Sequence, residues 1–286
     1  MRTIHLLTIG LLGASLAAAQ PCSPADARGT YMFKMWGQHE LGPDHPFLPK
    51  QMGPTYGLGI VTLDGAGKGS GRFTATFGGA AKTLEYMDLQ YTVSEACGGT
   101  ATYRLKVVGT DAVLGPDKLE LRILDDGNRI WGLMTDSGGR GAILTSEFRR
   151  LSRGPRACHP SMLRGSYSMR YEGWANPQMI NPSQPAYFAP QFGLGGIVVD
   201  PDGANRGSVV HNWGGVQVAA DMVSMTFNVN ADCTGAVEYV SQIRGTPNKF
   251  SGKSLFVLSG DGAQLTVLMP DLPGFGFLYY ERVSIP

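Results

Sequence analysis

Charge is scarce in this chain. Only 16% of its 286 residues are Asp, Glu, Lys or Arg, and the formal net charge is +1. So low a balance offers no basic face for a nucleic acid or another polyanion. Sustained 3.6-residue apolar periodicity is missing too, which argues against long amphipathic helices. There is no Gly-x-Ser-x-Gly elbow, Walker loop, Cys-x-x-Cys pair or His-x-His cluster. The familiar serine-hydrolase, nucleotide and zinc constellations are thereby removed, and neither a metal nor a cofactor is expected. His39, His45 and His159 are scattered. No glycan acceptor survives, because Pro182 blocks the candidate at Asn181.

Only the start of the chain carries a notable apolar run. Arg2, the stretch Leu6 to Leu16 and the small residues Ala17, Ala18 and Ala19 read as a secretory signal over residues 1–19. The run is short for a bilayer span, so stable membrane insertion is not expected. The remainder is predicted to begin near Gln20 and to fold in an oxidising, secretory compartment.

What is abundant is glycine, cysteine in a regular frame, and repetition. Gly 40 and Pro 18 suit an all-β chain rich in turns. Cys22 and Cys97 lie as far apart as Cys158 and Cys233, each pair being separated by 75 positions. Four cysteines allow three pairings, and a duplication selects Cys22–Cys97 and Cys158–Cys233. The surrounding words repeat accordingly. "CSPADARGTY" (22–31) matches "CHPSMLRGSY" (158–167), and "YGLGIVTLDGAG" (56–67) matches "FGLGGIVVDPDGA" (192–204). "LQYTVSEACGG" (89–99) matches "MTFNVNADCTG" (225–235). A tandem repeat of about 135 residues follows, with units at 20–152 and 153–286 and a linker at 151–157.

Within each unit, short alternating runs are punctuated by Gly and Asp-Gly. Met87, Leu89, Tyr91 and Val93 form one such face, and Val223, Met225, Phe227 and Val229 its twin. The "GLG" words are read as turn chemistry before strands, and Asp125-Asp126 and Asp200-Pro201-Asp202 as hairpin turns. About seven or eight strands per unit predict two small antiparallel barrels, lipocalin-like in general form. Paired sandwiches are the alternative. A barrel of that size is either filled by its side chains or holds one small ligand.

Function is sought where the two units differ. Val209, His211 and Trp213 share a strand face whose twin carries Phe73, Ala75 and Phe77. The face is apolar, hence inward, and an imidazole there needs a hydrogen-bond partner. His211 is either a satisfied core residue or a ligand-facing group for mild acid–base work. Lys34 and Arg170 interrupt the two apolar first strands. Each is either a solvated outer residue or, for Arg170, a rim group that polarises a carbonyl. Long connections at 37–55 and 173–191, the second with Trp174, Tyr187, Phe188 and Phe192 in or beside it, lid a mouth or cover the neighbouring barrel.

The frame C-x5-RG(S/T)Y … GLG … DG … C-x-G resembles a group of secreted fungal proteins built from two tandem β-barrel units. That group includes hetero-Diels–Alderases that join a tropolone quinone methide to humulene-type sesquiterpenes. The likeness spans essentially the whole chain after the leader, and its motifs are structural. It implies a cofactor-free cycloaddition in an apolar pocket, with hydrophobic small molecules as partners. On that reading His211, Arg170 and Tyr239 supply the polar groups. Met169, Tyr171, Trp213, Trp174, Tyr187, Phe188, Phe192, Met225, Phe227, Met269 and Phe277 would hold the substrates. The first barrel, lined by Phe73, Phe77, Leu89 and Tyr91, would be scaffold or the surface of a homodimer. A non-catalytic carrier of a hydrophobic metabolite is the alternative, and a secreted structural protein with filled barrels a third.

Overall fold

Tyr31, Phe33 and Met35 are buried, and their neighbours Lys34 and Trp36 are not. A strand with one apolar face must lay it on other such strands, and among the described residues sixteen strands do so. The computed structural model describes residues 21–40, 52–77, 80–139, 141–152, 157–175, 189–200, 205–213, 215–270 and 274–284. The first eight strands are β1 (Gly29–Glu40), β2 (Met52–Leu63), β3 (Lys68–Phe77), β4 (Ala80–Val93), β5 (Gly98–Val107), β6 (Val113–Leu124), β7 (Arg129–Asp136) and β8 (Ile143–Ser152). The second eight are β9 (Gly165–Ala175), β10 (Ala189–Val199), β11 (Arg206–Trp213), β12 (Val216–Val229), β13 (Thr234–Ile243), β14 (Lys249–Leu258), β15 (Gln264–Met269) and β16 (Gly274–Ser284). Each set closes into an antiparallel eight-stranded barrel, β1 meeting β8 and β9 meeting β16. Closure leaves no bare sheet edge.

One end of each barrel is sealed in the same way. A short 3₁₀ turn, Pro24–Ala27 or Pro160–Leu163, precedes the first strand, and a disulfide ties its flank to the β4–β5 or β12–β13 turn. The tyrosine of each "RG(S/T)Y" word is the hub beneath. Tyr31 donates to the Gly127 carbonyl at 2.9 Å and receives Arg150 Nη2 at 2.8 Å. Tyr167 donates to the Gly262 carbonyl at 3.0 Å and receives Arg282 Nη2 at 3.0 Å, while the same nitrogen reaches the Met162 carbonyl. The repeated words thus mark the sealed ends.

Three expectations change. The "GLG" words lie inside β2 and β10 rather than before them. A Cβ on Gly59 would sit 2.1 Å from the Arg72 carbonyl oxygen, so glycine lets β2 and β3 approach at the barrel bend. The alternation over Val223 to Val229 is broken by a bulge between Met222 and Ser224. Val223 therefore turns outward at 50% exposure, and Met222 joins Met225 inside. Leu151 and Ser152 belong to β8 rather than to a linker.

The barrels touch through their outer walls. Met32, Leu58, Ile60, Tyr56 and Leu151 of the first pack on Val257, Leu268, Phe277 and Tyr279 of the second. At the margin, Lys34 Nζ meets Glu147 at 3.0 Å, and Tyr279 donates to Glu172 at 2.6 Å. Burial pushes Glu147 towards its neutral form, but Lys34 and Arg149 outweigh it and hold the carboxyl below its usual range.

Candidate functional site

The two interiors differ because the second has been trimmed. In the first barrel Phe33, Phe73, Tyr86 and Tyr103 form a chain of rings with centroids 5.0 to 5.9 Å apart. The pocket beside these rings measures about 20 Å³. Equal strand register assigns their counterparts as Met169, Val209, Met222 and Tyr239. Leu84, Leu105 and Leu119 likewise become Ala220, Ser241 and Ser254. The result is a cavity of about 170 Å³ in the second barrel. It lies towards the end opposite the Cys158–Cys233 bridge, where β11–β12, β13–β14 and β15–β16 turn.

His211 lines this cavity from β11. Gln191, buried on β10, places its Nε2 3.1 Å from His211 Nδ1. An amide N–H can only donate, so Nδ1 accepts and the ring proton belongs on Nε2. The ring stands edge-to-face against Trp213 (5.7 Å) and Tyr171 (5.6 Å). Burial pulls its pKa down to about 4, leaving a neutral imidazole at neutral pH. Three further polar atoms on the wall are buried without a hydrogen-bond partner among the described residues: Trp213 Nε1, Gln191 Oε1 and Ser254 Oγ. Orphaned buried groups are rare and costly, so they mark where a water or a ligand belongs.

Five expected residues meet at the cavity: His211, Trp213, Tyr239, Met225 and Met269. Others lie elsewhere. Met169 and Tyr171 are packed in the core, and the Tyr171 hydroxyl donates to the Phe275 carbonyl at 3.4 Å. Phe227 packs against Phe256 with centroids 6.1 Å apart. Phe277 faces the first barrel, in the inter-barrel cluster. Arg170 is no rim group: β9 turns it outward, where its guanidinium lies 4.8 Å over the Tyr279 ring. Trp174 hydrogen-bonds Tyr56 of the other barrel, whose hydroxyl burial and the nearby Glu172 charge push up to about 12. Phe192 is 60% exposed on the outer wall. Tyr187 and Phe188 lie outside the described residues, as do 41–51 and 176–188 of the two long connections.

The first barrel also carries an inward imidazole, although its twin of His211 is Ala75. Thr55, twin of Gln191, is bonded at 2.6 Å to His39 Nδ1, and that ring meets Phe77 at 5.1 Å. His39 stands on β1 where the second barrel has Ala175, and His211 on β11 where the first has Ala75. Each barrel thus sets one histidine beside the middle strand, from opposite sides. What is peculiar to His211 is the space in front of it.

Gln191, Ser254, Ala220 and Met222 were not singled out from sequence. Gln191 was legible as a difference from Thr55, and the others as reductions in side-chain volume. Among the described residues no group of three or more His, Cys, Asp or Glu side chains is placed to hold a metal, and no helix is long and apolar enough to cross a membrane. The chain matches no family model, no curated protein and no solved structure.

Proposed function

We propose that the second barrel takes up a small apolar molecule bearing an oxygen function. The observation that carries this is the cavity of about 170 Å³ whose greasy wall presents an unpartnered indole N–H, an unpartnered amide oxygen and a neutral imidazole. Sites for small ligands combine a mostly apolar lining with a few convergent polar groups. An engineered cavity of about 150 Å³ accommodates benzene, so one ring of six or seven atoms fits here.

On this reading the chemistry is a cofactor-free hetero-Diels–Alder cycloaddition. A quinone-methide heterodiene occupies the cavity, and an apolar alkene, such as a humulene-type terpene, approaches through the mouth. One C–C and one C–O bond form as three π bonds become one, and no proton or electron leaves. His211 Nε2–H and Trp213 Nε1–H donate to the heterodiene oxygen, whose negative charge grows in the transition state. Confinement supplies the near-attack geometry. Arg170 takes no part. The resemblance of the cysteine and "RG(S/T)Y" frame to the tandem-barrel hetero-Diels–Alderases supports this chemistry. The two disulfides suit an oxidising compartment and passage along the secretory route.

A second reading, a carrier without turnover, is favoured by one observation: the enclosed volume suits a single guest. Purified protein given a tropolone quinone-methide precursor and a humulene-type alkene separates the two. Faster, stereoselective adduct formation supports catalysis. Saturable uptake of the tropolone with adduct formed only at the uncatalysed rate supports the carrier. Neither uptake nor turnover removes both.

A further inference from the structure

The internal duplication exposes a pair of matching surfaces. Within the chain, β2 of the first barrel lies over β14 to β16 of the second. Tyr56 meets Phe275 with ring centroids 6.1 Å apart, and Leu58 shares an apolar cluster with Leu268. Each of these four residues has a twin in the other barrel, fixed by strand register. Phe192 and Leu194 on β10 pair with Glu172 and Arg170, as Tyr56 and Leu58 on β2 pair with Trp36 and Lys34. Ile143 on β8 faces Gln38, as Phe275 on β16 faces Trp174. Leu133 on β7 faces Thr145, as Leu268 on β15 faces Phe277.

All four twins are large, apolar and bare. Phe192 is 60% exposed, Leu194 69%, Ile143 67% and Leu133 49%. Their counterparts Leu58, Leu268 and Phe275 are buried at 3%, 0% and 0%. Apolar side chains left in water at these register positions constitute the unused halves of an interface the chain already makes once.

We propose that these two faces dock a second copy of this chain head to tail. Phe192 and Leu194 of one molecule lie over Ile143 and Leu133 of the next, reproducing the contacts Tyr56–Phe275 and Leu58–Leu268. The patches differ from each other, so the contact is heterologous and either closes into a ring or continues as an open chain. It is weaker than the internal contact. Twins of five apolar interface residues are polar or absent: Ser168 stands for Met32, Gly196 for Ile60, Thr145 for Phe277, Arg122 for Val257 and Glu147 for Tyr279. Association is therefore expected to depend on concentration.

The test uses the full chain, with light scattering across a concentration series. Wild-type mass should rise with concentration. L194E and L133E, each at an exposed site, should both keep the monomer's circular dichroism and remain at monomer mass. Mixed in equal amounts they should form a discrete pair, because each retains the face the other has lost, and the pair should not grow further. A wild type that stays monomeric throughout overturns the proposal. So does an L133E that still assembles alone, which would mean a two-fold contact through β10. Failure of the two variants to pair also overturns it.

Discussion

Refilling the second barrel with the first barrel's rings is the sharpest perturbation the duplication suggests. V209F with M222Y restores the aromatic pair that occupies the first interior at a centroid separation of 5.3 Å. Met169 remains in place of Phe33, so the new rings have room. A void costs about 24 cal/mol per Å³, so an empty cavity of about 170 Å³ forfeits at most about 4 kcal/mol. Water resting on Trp213, Gln191 and Ser254 reduces that figure, and two rings fill only part of the space. A gain of about 1–2 kcal/mol is expected, or roughly 3–6 °C in Tm for a domain of this size. Differential scanning calorimetry and tropolone titration of both proteins measure the outcome. The double variant should be the more stable and should bind no tropolone. A loss of stability of about 1–3 kcal/mol, the ordinary cost of overpacking, would show that the space is not free to receive a ring. Unchanged tropolone affinity would place the ligand elsewhere.

Other outcomes follow from single side chains. W213F, which copies Phe77, removes an orphaned buried donor costing about 1–3 kcal/mol, so stability should hold or rise while tropolone affinity falls; urea unfolding beside calorimetric titration reads both. His211 is held at about 4, below the ordinary 6.5, so the unfolded chain binds the extra proton first. Its contribution is present above pH 6.5 and is lost as pH falls towards 4, at about 1.4 kcal/mol per pKa unit. Between pH 7 and 4.5 the wild type should therefore lose about 2 kcal/mol more than H211Q in urea unfolding. R282M strips the Tyr167 hydroxyl and the Met162 carbonyl of a charged donor and should cost about 2–3 kcal/mol; R170A removes an outer stacking contact and should cost under about 1 kcal/mol. Replacing Cys158 and Cys233 with serine opens a loop of 75 residues and should lower stability by up to about 4 kcal/mol.

The barrels were legible because the chain states them twice. Equal cysteine spacing and the paired "RGTY" and "RGSY" words align the halves without any outside comparison. Period two then places Val209, His211 and Trp213 on one inner face, and all three line the cavity. Bulges are a different matter. The extra residue at Met222–Ser224 is a backbone event with no side-chain signature, and it reversed the faces of Val223 and Met222. Contacts between barrels were equally hidden. Nothing local to Arg170 or Phe277 announces Tyr279 or the β2 wall, so both were assigned to the chamber and both belong to its outside. The hollow itself is written as lost volume, Phe73 to Val209 and Leu119 to Ser254. Composition cannot show that, because it appears only when the halves are set in register.

The indole N–H resonance of Trp213, identified by its absence in W213F, reports on the cavity wall directly. Titrated with tropolone in ¹H–¹⁵N spectra, it should shift saturably in the wild type and stay fixed in V209F/M222Y. A resonance that does not move in the wild type at any tropolone concentration would mean that no guest enters the second barrel.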